Sequence, residues 1–147
     1  MDAIVHASFE VPPPLTSPRF RFEPLAGHHN DVDLPAWTSS IEHIRASPGF
    51  AGRGWPAGPV SAQENLRDLL RHERHRQERS GFTYAVFSGD EYVGCVYFYP
   101  PRTPTHDVDV RSWVTQERAD LDRPLYEAVS RWLRECWPWK QPDYAER

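Results

Sequence analysis

A glycine-free turn between a predicted strand and a predicted helix is the first candidate for chemistry. The stretch SWVTQERADLDRPLYEAVSRWL, residues 112–133, begins like a buried strand and ends like an amphipathic helix. Such turns bind phosphate through N–H groups at the helix N-terminus, most readily where glycine lets the backbone approach the anion. Arg118 and Arg123 offer positive charge, whereas Asp120 and Asp122 repel an anion unless the arginines neutralise them. The turn is therefore a candidate phosphate site, and the alternative is that Asp122 simply caps the helix.

Histidine pairs are the second candidate, this time for a metal. The segment HERH places His72 and His75 three residues apart, but it lacks the His-Glu-x-x-His zinc pattern and its helix is charged all round. We interpret this pair as part of a solvated face. His28 and His29 lie in a predicted loop without a paired ligand motif. The sequence therefore predicts no metal site.

Composition narrows the class of protein. The chain has 147 residues, a net charge of −4 and 39% apolar residues, which predicts one globular domain with no general attraction to nucleic acid or anionic lipid. Arginines and acids alternate over residues 64–79, which predicts mixed ion pairs. No apolar run reaches the roughly 20 residues that span a bilayer. Cys95 and Cys136 fit buried reduced thiols, so we expect a cytoplasmic protein with no membrane or nucleic-acid partner.

The elements that position these groups follow from periodicity. Residues 1–18 hold four prolines and no regular period, which predicts a disordered Pro-rich tail before a single domain over 19–147. The next segments predict a short strand in RFRFEPL, helical pieces within 28–50, and a Gly- and Pro-rich loop. Ser61 and Glu64 form a capping-box pattern for a helix over 62–79, whose apolar stripe would be Leu66, Leu69 and Leu70.

The second half of the chain predicts a hairpin, a strand and a helix. FTYAVFS and EYVGCVYFYP flank the turn dipeptide Gly89–Asp90, and both strands are largely apolar on both faces, as in a covered sheet. DVDVRSWVT alternates like a strand with one apolar face. A helix over 123–136 follows, with Asp122 as the predicted N-cap. WPWKQPDYAER leaves room for one short strand.

This order of elements resembles the GNAT superfamily of acyl-CoA N-acyltransferases. EYVGCVYFYP is similar to the family's strand with a VG pair, VDVRSWVT and PLYEAVSRWL to its cofactor-binding strand and helix, and FEPLAGHHNDVDLPAW to its first strand and helix. The resemblance covers residues 19–147. It implies an α/β (α+β) fold with a central mixed, mostly antiparallel sheet, helices on both faces, and truncation after the strand that follows the cofactor helix.

The resemblance also implies a cofactor site for acetyl-CoA. The backbone around Trp113 and Val114 would pair with the pantetheine arm, and Arg118, Ala119 and Arg123 would lie at the pyrophosphate. Ala119 stands in the neighbourhood of the family's glycines, and the turn is about two residues shorter than the family's. This departure puts the strength of cofactor binding in question.

The catalytic residues that the resemblance implies are an acid and a base. The family often takes its base from an acidic residue near the sheet centre, which makes Asp107 and Asp109 candidates, and we favour Asp109. The family's tyrosine general acid lies in a helix for which this chain has no counterpart. Tyr144 is the only tyrosine after the last helix, so it is the local substitute, and its other interpretation is an ordinary edge-strand aromatic.

Two functions remain open at this point. The first is an acyl-CoA-dependent N-acetyltransferase that transfers an acetyl group to a small-molecule or peptide amine. The second is a degenerate, non-catalytic GNAT-fold module for binding or regulation, which acts through an aromatic surface or as a homodimer. The residues to inspect for such a surface are Trp55, Trp137, Trp139, Tyr97 and Tyr99.

Overall fold

A computed structural model describes residues 1–147. Its sheet and its helices alternate along the chain much as the sequence predicts. The elements are β1 (Arg21–Pro24), a 3-10 turn (Gly27–His29), α1 (Asn30–Thr38), α2 (Ile41–Ala46), α3 (Ala62–Glu78), β2 (Phe82–Ser88), β3 (Glu91–Tyr99), β4 (Val108–Val114), a second 3-10 turn (Gln116–Leu121), α4 (Asp122–Cys136) and β5 (Pro142–Tyr144).

The five strands form one sheet in the order β1-β2-β3-β4-β5. The first four pair antiparallel, and β5 joins β4 in parallel. The register shifts between Val86 and Phe87, where Val86 faces Gly94 and Phe87 faces Tyr92. A Cβ built on Gly94 would lie 2.0 Å from the carbonyl oxygen of Trp113, so only glycine lets β3 and β4 approach this closely. The predicted mixed, mostly antiparallel sheet is confirmed.

Helices cover both faces of this sheet. On one face, Trp37, Ile44 and Leu69 from α1, α2 and α3 pack in a core that includes Tyr97 and Trp113. On the other face, α4 contributes a second core, which contains Leu125, Val129, Trp132, Leu133, Val110 and Val114. The burial of both faces explains why the strands are apolar on both sides. None of the helices combines the length and the apolar character that crossing a membrane requires.

Residues 1–18 differ from the disordered tail that the sequence predicts. Val5 is buried in the core on the α4 face, and Phe9 packs against it. The Ile4 N–H donates to the Arg79 carbonyl at 2.9 Å, and the Trp139 indole donates to the Ile4 carbonyl at 3.0 Å. Apolar residues, most of them before the first proline, give this segment enough contact area to lie against the domain.

The helix starts show one confirmed prediction and one correction. Ser61 caps α3 through the Glu64 N–H, and the reciprocal bond of the capping box is present. Asp122 does not cap α4, because the 3-10 turn runs directly into the helix and the N-cap position falls on Leu121. The Asp122 carboxylate instead accepts a hydrogen bond from Arg147 at 2.8 Å.

The inward face of α3 also differs from the predicted apolar stripe. Leu69 is buried, whereas Leu66 and Leu70 are 37% and 47% exposed. Asn65 and His72 take the inward positions on either side of Leu69 in the helical repeat, Asn65 towards α1 and His72 towards the sheet, and the His72 side chain is only 10% exposed. Polar side chains can take such positions when hydrogen-bond partners are available.

Candidate functional site

β4 and β5 separate halfway along β4. Their parallel pairing joins Val108 to Pro142 and ends where Val110 faces Tyr144. The rest of β4 continues for four residues, to Val114, without a strand on that side. A strand edge of this kind leaves backbone N–H and C=O groups that an extended ligand can pair with.

The side chains of Arg147 and Tyr144 lie in the space beside this strand edge. Arg147 donates from Nη2 to the Ser112 carbonyl and from Nε to Asp122 Oδ2, both at 2.8 Å, and only 3% of its side chain is exposed. The Tyr144 hydroxyl lies 2.6 Å from Ser112 Oγ. Burial raises the pKa of Tyr144, so its phenol stays protonated at neutral pH.

The turn after β4 forms a 3-10 helix with its polar groups already used. The Gln116 N–H donates to Ser40 Oγ at 2.9 Å, and the Arg118 N–H donates to the Thr115 carbonyl at 3.0 Å. The Arg118 guanidinium lies 2.5 Å from Glu91 Oε1 and 3.8 Å from Asp120 Oδ1. The turn therefore offers one cationic side chain, Arg118, which is already paired with two acids, rather than an open cradle of amides.

A separate cavity of about 320 Å³ lies between α3 and the strands β3 and β4. Helix α3 and the loop before it supply part of the lining, and the strands supply the rest. The lining residues are Met1, Trp55, Asp68, Arg71, His72, His75, Tyr97, Tyr99 and Arg111. Its wall thus combines aromatic rings with cationic and titratable groups.

His72 and His75 face this cavity and are not part of a solvated face. The Tyr99 hydroxyl lies 2.8 Å from His72 Nδ1 and 2.9 Å from His75 Nδ1. Thr83 Oγ1 is a further neighbour of His72 Nδ1, at 2.9 Å. Burial, and then the charge of Arg71, lower the pKa of His75, which favours the neutral ring at pH 7.

Asp109 is the centre of a buried ion cluster on the same side of the sheet. Its two carboxylate oxygens accept hydrogen bonds from Arg53 Nη1 and Nη2, each at 2.8 Å. Arg111 Nε lies 3.6 Å from the same carboxylate. The bidentate pair anchors the loop before α3 to β4.

A second buried carboxyl lies deeper on this face. Asp33 accepts hydrogen bonds from the Tyr92 hydroxyl at 2.5 Å and from Asn65 Nδ2 at 2.9 Å. The Tyr92 hydroxyl also lies 2.9 Å from Cys95 Sγ, and Trp37 donates to Asn65 Oδ1 at 3.0 Å. Burial raises the pKa of Asp33, because this network supplies donors but no cation.

One group of side chains has the composition of a metal site. Ligand atoms of Glu23, His28 and His29 lie within 4.8 Å of one another. However, the Ala26 N–H donates to His29 Nδ1 at 3.0 Å, and His29 Nε2 lies 2.9 Å from Glu23 Oε1. Both ring nitrogens of His29 are therefore engaged within the chain, and the group works as a structural link between β1 and the first 3-10 turn.

Comparison with known proteins gives a match in structure but not in sequence. No protein-family model matches the sequence, and no curated protein matches it. The structure is similar to the RimL ribosomal L7/L12 alpha-N-protein acetyltransferase in complex with coenzyme A, with a TM-score of 0.63, 14% identity and coverage of 81% of this chain and 66% of that one.

Two further acetyltransferases show the same likeness. The microcin C7 self-immunity acetyltransferase MccE, in complex with acetyl-CoA and AMP, has a TM-score of 0.63, 11% identity and coverage of 80% of this chain and 62% of its own. The ribosomal-protein-S5-alanine acetyltransferase from Vibrio fischeri has a TM-score of 0.60, 12% identity and coverage of 83% and 67%. The chain has the GNAT fold. It spans about two thirds of the length of these structures.

Within the GNAT fold, the residues predicted for the cofactor lie along the end of β4 and the turn after it. Trp113 and Val114 are buried and close β4. Arg118 and Ala119 lie in the 3-10 turn. Arg123 follows in the first turn of α4, is 71% exposed, and donates to the Arg147 carbonyl at 3.0 Å.

The two predicted catalytic residues do not come together. Tyr144 packs against the core on the α4 face of the sheet. Asp109 lies on β4 one residue before Val110, which faces that core, and is bound by Arg53 from the loop before α3. Neighbouring residues in a strand point to opposite faces, so the two side chains lie on opposite sides of β4.

Three arginines that shape these sites were not singled out from the sequence. They are Arg53, Arg111 and Arg147. One signal could have indicated Arg111: the neighbouring hairpin strands predict a sheet covered on both faces, and Arg111 shares with Asp109 and Trp113 the second face of β4, so a charge was bound to be buried. The contacts of Arg53 and Arg147 join residues far apart in the chain, and no local pattern indicates them.

Proposed function

We propose that this protein is an acetyl-CoA-dependent N-acetyltransferase that acts on an amine. The proposal is carried by the separation of β4 from β5 beyond Val110, which leaves a backbone edge beside the turn into α4. It is supported by the likeness of the fold to RimL in complex with coenzyme A and to MccE in complex with acetyl-CoA. Acetyl-CoA supplies the acetyl group as a thioester, and the chain supplies its binding groups.

The residues beside the turn fit a coenzyme through charge and backbone. The backbone of Trp113 and Val114 would hold the extended arm by strand-like pairing. Arg118 and Arg123 would face the phosphates, with Ala119 between them in the chain. Because the turn lacks glycine, the guanidinium groups carry more of this binding than the amides do.

Tyr144 and Asp109 take different parts in the proposal. The Tyr144 phenol lies where β5 leaves β4, and its protonated state suits a donor to a leaving thiolate. Asp109 is the proposed base for the incoming ammonium, and this role requires Arg53 to release one of its oxygens. Because the two side chains lie on opposite sides of β4, the ammonium would have to lose its proton at Asp109 before the amine reaches the thioester beside Tyr144.

A second candidate function follows from Arg147. Its side chain bonds the Ser112 carbonyl, which belongs to the strand edge that the coenzyme would use. A permanently closed edge would leave a non-catalytic GNAT-fold module, acting alone or as a homodimer. The aromatic surface expected for such a module does not form, because Tyr97, Trp137 and Trp139 are at most 8% exposed and Trp55 and Tyr99 are half-buried.

Thermal unfolding with acetyl-CoA separates these functions. A ligand present at about 100 times its dissociation constant adds about 2.7 kcal/mol to the free energy of unfolding, which raises Tm by about 5–10 °C in a domain of this size. We expect this shift, and we expect Arg118→Ala to shrink it. Arg134→Ala is the matched control, because Arg134 is exposed on α4 and lies outside the turn.

The outcomes discriminate between the two functions. An absent shift at millimolar acetyl-CoA contradicts the acetyltransferase. A shift without release of free coenzyme A thiol in the presence of any amine supports the binding module instead. An equal loss in both variants would mean that Arg118 acts only through net charge.

A further inference from the structure

Arg111 is a half-buried cation, and its nearest anion, Asp109, lies 3.6 Å from its Nε, which is too far for a hydrogen bond. Its side chain is 19% exposed, and its Nε is buried and makes no hydrogen bond. The guanidinium carbon lies 5.0 Å from the centre of the Tyr97 ring and 5.7 Å from that of Phe50. Contacts with aromatic faces stabilise the charge but do not satisfy the N–H groups. Burying a guanidinium away from water without new hydrogen-bond acceptors costs free energy.

The acids nearby are already matched by other cations. Both oxygens of Asp109 are held by Arg53. Desolvation acts to raise the pKa of Asp68, but hydrogen bonding and charge from His72, and then from Arg71, lower it to about 2. Asp68 is therefore ionised and paired. Counting one charge for each of Asp109, Arg53, Asp68 and Arg71 gives zero. The positive charge of Arg111 is therefore left over at the wall of the cavity.

The cavity suits a small molecule in size and lining. Its volume of about 320 Å³ lies at the lower end of the usual range for ligand sites, which begins near 300 Å³. Trp55 and Tyr97 offer apolar ring surface, and their ring centres are 6.3 Å apart. The hydroxyl of Tyr99 and the rings of His72 and His75 add groups that can donate or accept.

We propose that this cavity binds an oxyanion, a carboxylate or a phosphate carried on a small organic molecule, and that Arg111 is its main ligand. A guanidinium presents paired N–H donors that match the geometry of both groups. If the protein is the proposed acetyltransferase, the same inference gives the class of its acceptor: the amine that is acetylated carries an anionic group.

The position of the cavity relative to β4 supports this link. Tyr97 and Arg111 pair directly across β3 and β4, and the Trp113 indole donates to the Tyr97 hydroxyl at 2.8 Å. Arg111 is also the first residue of β4 beyond the last pair with β5. An anion held at Arg111 thus lies on one side of the strand segment whose free edge is proposed for the coenzyme.

Isothermal titration calorimetry without acetyl-CoA tests the site directly. The probes are benzoate, its neutral isostere benzamide, and inorganic phosphate. We expect benzoate or phosphate to bind, and benzamide to bind at least tenfold more weakly than benzoate. Arg111→Gln should weaken anion binding at least tenfold, while Arg67→Gln, an exposed change of the same charge on α3, should leave it unchanged.

Arg111→Lys keeps the charge and removes the paired donors, so it guards against a folding artefact. We expect it to retain the wild-type Tm within a few degrees and to bind benzoate with intermediate affinity. Equal affinities for benzoate and benzamide, no binding of either anion, or unchanged binding in folded Arg111→Gln would each overturn the proposal. Preference for phosphate over benzoate would assign a phosphate-bearing ligand.

The acetyl-CoA shift in Tm reports separately on the proposed function. Anion binding without that shift would leave the Arg111 site in place and contradict the acetyltransferase. The shift without anion binding would contradict the acceptor class alone. With both present, acetylation of 4-aminobenzoate should exceed that of 4-aminobenzamide at least tenfold in kcat/KM, and Arg111→Gln should remove the preference.

Discussion

Arg147 packs beside β4 and Arg111 belongs to it, and the surroundings of the two guanidinium groups are opposite. Arg147 donates to the Ser112 carbonyl, to Asp122 and to the Ala145 carbonyl, so its charge and its donors are matched within the chain. Arg111 lines a cavity with its Nε unbonded. A cation that is fully matched stabilises the fold, whereas one left unmatched in a cavity is available to a ligand.

This comparison distinguishes two regions. The closed edge is the β4 edge beyond Val110, where Arg147 bonds the Ser112 carbonyl, and the open face is the cavity lined by Arg111. The closed edge is the one that the sequence indicates for the coenzyme. At the open face, the sequence predicted no ligand site. Substitutions around either arginine therefore test whether the two regions differ in this way.

The largest effect should come from Asp109→Asn. The carboxylate is 4% exposed and Arg53 is 14% exposed, so the change leaves two buried cations without their shared anion. We expect the free energy of unfolding to fall by about 3 kcal/mol. Urea denaturation measures this, with Asp90→Asn in the exposed turn between β2 and β3 as control. An unchanged stability together with at least 100-fold lower activity would instead favour Asp109 as the base.

Gly94→Ala should be nearly as damaging, because it forces β3 and β4 apart under both sites. The new methyl group would lie 2.0 Å from the Trp113 carbonyl oxygen, which only a backbone shift relieves. We expect a loss of about 2–3 kcal/mol in urea denaturation. Gly58→Ala is the control, since nothing lies within 4 Å of its Cβ position. Equal stabilities of the two variants would show that β4 can move without cost.

Arg147→Ala tests whether the Arg147 side chain competes with the coenzyme for the edge of β4. Loss of the hydrogen bonds to Asp122 and Ser112 should reduce stability by about 1.5–2 kcal/mol. If the coenzyme pairs with the same edge, the variant should nevertheless bind acetyl-CoA more tightly. Calorimetric titration decides the sign, with Arg134→Ala as control. Weaker binding in Arg147→Ala would make Arg147 a ligand of the coenzyme rather than its competitor.

The sequence predicted the fold well because the local signals in the helices and strands agree with the final structure. The Ser61 and Glu64 capping box, the hairpin at Gly89 and the alternation in β4 each act over a few residues. The sites were predicted less completely because they depend on distant pairs. Arg53 reaches Asp109 across 56 positions, and Arg147 reaches Ser112 across 35.

The face of α3 shows the same limit in a single element. Apolar periodicity predicted that Leu66 and Leu70 are buried, yet both are exposed, because the inward side of this helix is built from hydrogen-bonded polar groups around Leu69. A hydrophobicity pattern cannot distinguish a solvated histidine from one bonded to a tyrosine on a strand. His72 and Tyr99 are 27 positions apart, so their contact exists only in the folded chain.

Asp33 extends the comparison to a carboxyl that is hydrogen-bonded but has no cation, and its effect per pH unit should be the smallest. Burial raises its pKa in the folded state, so folding favours its protonated form. The stabilising contribution of that form is complete below pH of about 3.8 and is lost as pH rises through the folded pKa. Asp33→Asn should remove this dependence, whose slope for one carboxyl is at most about 1.4 kcal/mol per pH unit.

Urea denaturation from pH 4 to pH 7 measures the difference. We expect wild type to lose stability relative to Asp33→Asn as pH rises, since ionised Asp33 has donors from Tyr92 and Asn65 but no counter-ion. Asp31→Asn, exposed on the same helix, should run parallel to wild type. Parallel curves for Asp33→Asn as well would mean that hydrogen bonds alone hold a buried charge here. The contrast with Arg111 would then be larger, because the Arg111 Nε has no hydrogen bond of this kind.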